Sequence, residues 1–168
     1  MTELLFMNPK EKDVWLPRMF TLYDSNMRRI APSGLPFERE RETFLRELSP
    51  ALDKAPRRVL LACSGDRLLG YIQYYTRDTL LMIEEVQVDR EYHRTRLFYR
   101  MCCALIGALP HGIATVEAYA DRRNLSSVAM MKRLGMERVE DVPTSPFLHL
   151  SGDAAGLYRR FTRIPRIP

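Results

Sequence analysis

A chain of 168 residues, 46% hydrophobic and 28% charged, has the size and composition of one folded domain that buries its own core. Its longest apolar run, Met101 to Leu109, falls far short of the roughly 20 residues that cross a bilayer, and the N-terminus lacks a basic stretch followed by an apolar one, so neither a membrane span nor a secretory leader is expected. The formal charge of +5 favours anionic partners without choosing among phosphorylated cofactors, nucleic acid and acidic surfaces, and Cys63, Cys102 and Cys103 form neither a metal-ligand spacing nor a disulfide framework, which points to a reducing cytoplasm.

In chain order, Leu4 to Met7 is a short strand ended by Asn8-Pro9. Trp15, Met19, Tyr23, Met27 and Ile30 recur at helical spacing and predict a helix from Asp13 to Ile30, with Pro17 near its start. A second helix, Phe37 to Leu48, is expected to turn Phe37, Phe44, Leu45 and Leu48 inward and to stop at Ser49-Pro50. Arg58–Cys63, Leu68–Tyr75 and Leu80–Val88 read as three strands of an antiparallel meander, joined by Ser64-Gly65-Asp66-Arg67 and by Arg77-Asp78. A basic turn then leads into a helix from Thr95 to Leu109, whose stripe is Leu97, Met101, Leu105 and Leu109. That order, strand, tight basic turn, helix, aims backbone N–H groups and a positive helix end at an anion such as phosphate. Ile113 to Tyr119 is a further strand, which makes a right-handed parallel crossover. Asn124 caps the next helix and Gly135 closes it, folding Met136 back toward Met131. Glu137–Val142 and Leu157–Arg163 are expected to be closing strands on either side of a loop from Pro143 to Gly156. Residues 1–168 thus read as a single domain.

This order of elements resembles the GNAT family of N-acetyltransferases. Ile83 to Tyr92 resembles the family's fourth strand and the start of its pyrophosphate loop, Leu69-Gly70-Tyr71 the start of its third strand, and Asn124, Ser127, Met130, Leu134, Gly135 and Met136 its Asn-x-x-Ala/Ser segment ending in Gly-Phe. The likeness covers residues 58 to 142 well and the first helices only by their order. It implies a mixed α/β fold with a mostly antiparallel sheet of six to seven strands, a parallel crossover at strands 4 and 5, and about four flanking helices.

The resemblance also implies acetyl-CoA as cosubstrate and acetyl transfer to an amine. Strands 4 and 5 would splay, freeing the backbone of Val86, Gln87 and Val88 for the acetyl carbonyl and pantetheine. A backbone N–H there would stabilise the oxyanion, and His93, Arg94, Thr95, Arg96, Leu97 and Phe98 would cradle the pyrophosphate, with Asn124, Ser127 and Met131 beside the cofactor. Counting by twos from Val88 puts Glu84 on the face of the two valines and Glu85 opposite, unless a bulge intervenes. Glu84 is the expected base and Glu85 its alternative, against the plainer reading that both carboxylates merely line the surface or orient substrate.

Two positions depart from the family pattern. The loop glycines are replaced by large side chains in His93-Arg94-Thr95-Arg96-Leu97-Phe98, where Arg94, Arg96 and Arg100 are offered instead as phosphate donors. Met131 stands where many members have a proton-donating Tyr, leaving Tyr119 or Tyr99 as substitutes. The expected function is acetyl-CoA-dependent N-acetylation of a primary amine; the alternative is a non-catalytic binding or regulatory module of the same fold with weakened or lost CoA binding. A nucleic-acid-binding role has only charge in its favour, no metal site is expected, and the resemblance allows a homodimer.

Overall fold

The computed structural model describes residues 2–54, 57–140 and 143–162. Seven strands form one sheet in the order β1-β2-β3-β4-β5-β7-β6, and every neighbouring pair is antiparallel except β4–β5. The strands are β1 (Glu3–Phe6), β2 (Arg58–Ser64), β3 (Arg67–Arg77), β4 (Leu80–Val88), β5 (Thr115–Asp121), β6 (Glu137–Glu140) and β7 (Phe147–Asp153). Five α-helices accompany them: α1 (Lys12–Ile30), α2 (Phe37–Leu52), α3 (Leu97–Gly107), α4 (Leu125–Arg133) and α5 (Ala154–Phe161).

A core lies on each face of the sheet. On one face, Leu16, Met19 and Leu22 of α1 close over Val59, Leu61 and Cys63 of β2 and over Tyr71 of β3. On the other, α3, α4 and α5 pack Leu97, Met101, Leu105, Met131, Leu157 and Phe161 against Ile72, Leu81, Ile83, Val116 and Ala118. The meander explains itself locally. Gly65 turns β2 into β3 at a positive φ of 56°, and Gly70 lets β3 approach β4, because a Cβ there would meet the Gln87 carbonyl at 2.9 Å.

Several boundaries differ from the sequence reading. Pro17 is the sixth residue of α1 and Pro50 lies inside α2, so neither proline marks an end. Each removes one helical N–H, but the carbonyls so orphaned belong to Asp13 and Arg46, whose side chains lie toward solvent, and α2 continues because Leu52 extends its buried stripe. Phe37 is exposed at the start of α2, although its ring packs 5.1 Å from Phe20.

The last third is the larger correction. The expected loop from Pro143 to Gly156 contains strand β7, and the expected strand Leu157–Arg163 is helix α5 as far as Phe161, with Arg163 outside the described residues. The physical signals are present. Leu148 and Leu150 alternate into the α3-side core, as a strand requires, and the Asp153 side chain accepts from the Ala155 N–H at 2.7 Å as an N-cap. Ala154, Leu157 and Phe161 then form a buried helical stripe. Asp141 and Val142, the expected end of β6, also lie outside the described residues.

Candidate active site

β4 and β5 pair in parallel only from Leu80–Thr115 to Ile83–Ala118. Beyond that point β4 runs on to Val88 against β3, and β5 runs on to Asp121 against β7. The two strands therefore fork after Ile83 and Ala118, leaving a notch in the middle of the sheet. The Asp89 N–H donates to the Leu69 carbonyl at 2.7 Å, so alternation along β4 turns the main chain of Gln87 toward β3 and that of Val86 and Val88 toward the notch. The Val88 carbonyl there accepts from Asn26 Nδ2 at 3.1 Å and from the His93 ring at 2.9 Å, while the Val86 main chain faces the opening.

A β-bulge decides where the two carboxylates point. Gln73 pairs with Glu85 but Tyr74 pairs with Ile83, so Glu84 is the extra residue. Ile83 and Val86, three apart, both face the α3-side core, and the two glutamates between them reach partners on the α1 side. Counting by twos fails at this point because the bulge absorbs one residue.

The two carboxylates differ in environment. Glu84 is held by both ends of the Arg57 guanidinium and by Gln73 Nε2 at 2.8 Å. That bond to Glu84 raises the Arg57 pKa. Glu85 is half-buried and accepts from Gln87 Nε2, whose amide oxygen in turn accepts from Asn26 of α1 at 2.8 Å. Burial pushes the Glu85 carboxyl up to about 7; the Gln87 bond opposes this and the Glu84 charge adds to it. A carboxyl that titrates near neutrality, beside an opening in the sheet, can accept a proton from an amine.

Tyr23 of α1 lines a polar cleft and feels the Glu85 charge. Tyr23 of α1 is pushed up by burial, then by Glu85, Glu40, Asp121 and Asp24, which places its hydroxyl in a field of four carboxylates. The cleft beside it, about 290 Å³, is lined by Tyr23, Asp24, Met27, Arg28, Glu40 and the turn from Ala31 to Leu35. Arg28 spans Asp24 at 2.7 Å and Glu40 at 3.4 Å. At the end of β5, Asp121 is held low by the Arg123 guanidinium and main chain.

The basic turn accommodates large residues without strain. Asp89 caps a 3-10 turn, Arg90–Tyr92, by accepting from the Glu91 N–H at 3.0 Å. Among the described residues Asp78 is the one non-glycine at positive φ, so nothing in the turn demands glycine. Thr95 Oγ1 donates to the Tyr92 carbonyl at 2.8 Å and accepts from the Leu97 N–H at 3.1 Å, which occupies one N–H of the α3 terminus. Arg94 and Arg96 are exposed at that terminus, whereas Arg100 donates to the Thr2 carbonyl at 3.1 Å. Leu97 is a core residue and Phe98 is half-buried against the same core.

Across the notch, Tyr119 follows the last β4–β5 pair and stacks on His149 at 4.6 Å, and His149 contacts Glu117 at 3.1 Å. Asn124 accepts from the Ser127 N–H at 3.1 Å as the cap of α4. At the other end of α4, the Gly135 N–H bonds Lys132 and the Met136 N–H bonds Met131, the fold-back expected from Gly135. Met131 is buried and, with Val86 and Phe98, lines an apolar space of only about 20 Å³ on the α3 side of the notch. The structure thus brings Glu84, Glu85, Val86, Val88, His93 and Tyr119 around the fork. Arg94 and Arg96 sit at its loop end, and Thr95 and Leu97 serve the loop and core.

Sequence reasoning missed Tyr23, Asn26, Arg57, Tyr71 and Gln73. Their only signal was polar residues interrupting apolar elements, Asn26 between Tyr23 and Met27 and Gln73 after Tyr71-Ile72.

A pocket of this kind fits an extended, amide-bearing thioester arm in part. The open Val86 main chain and the exposed arginines suit it, and the glycine cradle is replaced by side-chain donors.

No curated protein is detectably similar to the chain in sequence. Among solved structures, it resembles the PaiA N-acetyltransferase of Thermoplasma acidophilum in complex with coenzyme A, at 13% identity and TM-score 0.69, over 91% of this chain and 99% of that one. An acetyltransferase from Thermus thermophilus is 18% identical at TM-score 0.67, over 91% and 97% of the two chains. The ribosomal-protein-S18-alanine N-acetyltransferase of Escherichia coli is 14% identical at TM-score 0.61, over 91% and 94%. The model of the acetyltransferase (GNAT) family matches residues 16–136, most of the chain and the whole of the fork, so this protein belongs to the GNAT acetyltransferase family.

Proposed function

We propose that the protein is an acetyl-CoA-dependent N-acetyltransferase that acylates a primary amine by direct attack in a ternary complex. The observation that carries the proposal is the fork between β4 and β5 with Glu85, a carboxyl titrating near 7, at the bulge beside it. When bound, acetyl-CoA supplies an activated acyl group. Of the chain's own groups, we assign the Val86 N–H to the developing oxyanion, where such a donor contributes about 3–4 kcal/mol in other acyl-transfer sites. Gln87 holds Glu85 in place, and Val88 is turned to the same notch. Arg94 and Arg96, with the backbone of His93 to Phe98, take the pyrophosphate at the start of α3. Asn124 and Ser127 shape the α4 terminus beside it.

Glu85, rather than Glu84, is our choice for the base, because Glu84 is already neutralised by Arg57. It takes a proton from the acceptor ammonium through water, breaking N–H and forming O–H on the carboxylate. The acceptor enters over Tyr23, between α1, α2 and the α1 face of the notch, where Glu85 is the one of the four carboxylates around Tyr23 with no arginine partner among the described residues. Met131 cannot donate a proton, and Tyr119 at the fork is our candidate to protonate the departing thiolate. A thiol with a pKa of about 8.5 leaves tolerably well unaided, so Tyr119→Phe should cost less than about tenfold.

Measurement of free-thiol release from acetyl-CoA over a panel of amines tests the reading. Turnover in wild type that falls about 10²–10⁴-fold in Glu85→Gln is expected; equal rates in the two would remove Glu85 from this role. The narrow space between Val86, Phe98 and Met131 favours a second reading, a family member that keeps the fold as a binding module without catalysis. It predicts no turnover and a melting temperature that acetyl-CoA raises little or not at all.

A further inference from the structure

Tyr71 is fully buried, and its hydroxyl has no hydrogen-bond partner in the chain among the described residues. Such a group costs stability unless something outside the protein's own atoms completes it, or unless it has work in another state of the site. Its position is specific. Tyr71 lies directly opposite Gln87 in the β3–β4 register, and Glu85 pairs with Gln73, so Tyr71 and Glu85 are diagonal neighbours. Diagonal pairs on one sheet face are within reach of aromatic and long side chains. Glu85 reaches the Tyr71 face by ordinary alternation from Gln87, and the bulge at Glu84 puts the second carboxylate on that face beside it. Gln87, the cross-strand partner of Tyr71, is bonded to Glu85 on one side and to Asn26 on the other.

The charged and titratable groups around Glu85 are Glu84 with its partner Arg57, Tyr71 from β3 and Tyr23 from α1. Asp24, Glu40 and Asp121 lie farther out, in the surroundings of Tyr23. Tyr71 is raised well above a normal phenol by burial, then by Glu85 and Tyr23, so it stays protonated and serves as a hydrogen-bond group rather than as a base.

Resting on the assignment of Glu85 as base, we infer that Tyr71 is a positioning residue for it. The buried hydroxyl, directly or through one enclosed water, donates to the ionised carboxylate and accepts from the carboxylic acid formed when Glu85 takes the acceptor's proton. In that step one N–H bond of the ammonium breaks and one O–H bond forms on Glu85. The tyrosine gains and loses nothing; its O–H only reorients.

Tyr71→Phe removes one oxygen from a filled core and tests this. The Glu85 midpoint, read by carbon NMR of its side-chain carboxyl in the free protein, should rise by about one pH unit in the variant, because the ionised form loses a donor. The acid limb of kcat/KM should move up by the same amount and kcat should fall about 10–100-fold, with KM for acetyl-CoA within about twofold. The melting temperature should change by less than about 4 °C, since the variant loses one bond to the carboxylate and leaves no cavity. A midpoint that coincides with wild type overturns the inference. The NMR titration needs no turnover, so a protein without transferase activity still reports on Tyr71, and the two ideas fail separately.

Discussion

At the scale of single residues, the site turns on two adjacent glutamates that have been given different environments. Glu84 is tied to Arg57, and Glu85 is placed where charge is disfavoured. The sign of the resulting pH dependence follows from linkage. An unfolded carboxyl loses its proton near 4.5 and the folded one near 7, so the folded state binds the extra proton between those values and stability falls as pH rises through them. Glu85→Gln lacks this loss. We expect the variant to be more stable than wild type at about pH 8, by on the order of 2 kcal/mol, and the difference to close toward pH 4.5. Denaturant melts across this pH range measure it, and a gap that is flat with pH contradicts the buried-carboxyl picture. The adjacent pair was legible in the sequence, but not which member is available. That depends on a one-residue bulge and on Arg57, 27 positions away in the chain, and neither is visible in a period-2 pattern.

At the scale of elements, local chemistry predicted best where a cap marks the boundary. Asn124 and Gly135 delimit α4 as expected, because each satisfies helix-end groups by a short-range bond. The β7–α5 segment was misread for the opposite reason. Its Ser and Gly content imitates a loop, while its strand and helix are held by pairing with β5 and by packing on α3, including Tyr99 against Phe161 at 5.5 Å. Glycines join the two regions. A Cβ on Gly152 would lie 2.6 Å from the Gly135 carbonyl, and Gly135 itself sits at φ +86°. Gly152→Ala should therefore cost about 1–3 kcal/mol by overpacking, and Gly135→Ala about 1–2 kcal/mol through its left-handed backbone. Thermal melts of both check this. Gly34→Ala, with open space about it, should lose only the backbone part.

At the scale of the whole molecule, the sheet is divided into two wings that meet only along four residue pairs between β4 and β5, and the fork opens at the end of that seam. Cofactor affinity should then depend on charge around the fork rather than on a glycine cradle. The double variant Arg94→Ala, Arg96→Ala should weaken acetyl-CoA binding about 10–100-fold at low salt, with a smaller difference in about 0.5 M salt. Calorimetric titration at two ionic strengths measures it, and equal affinity would place the phosphates elsewhere. The strand order β5-β7-β6 has a consequence for assembly. β6 is synthesised before β7, yet it reaches the sheet only through β7, whose other edge lies on β5. A chain cut back before Phe147 would thus strand the Glu137–Glu140 segment and bare one side of β5, the strand that forms the far wall of the fork. Well before its last residue is added, the polypeptide has every proposed catalytic group, but it must wait for a later hairpin-like insertion to brace them.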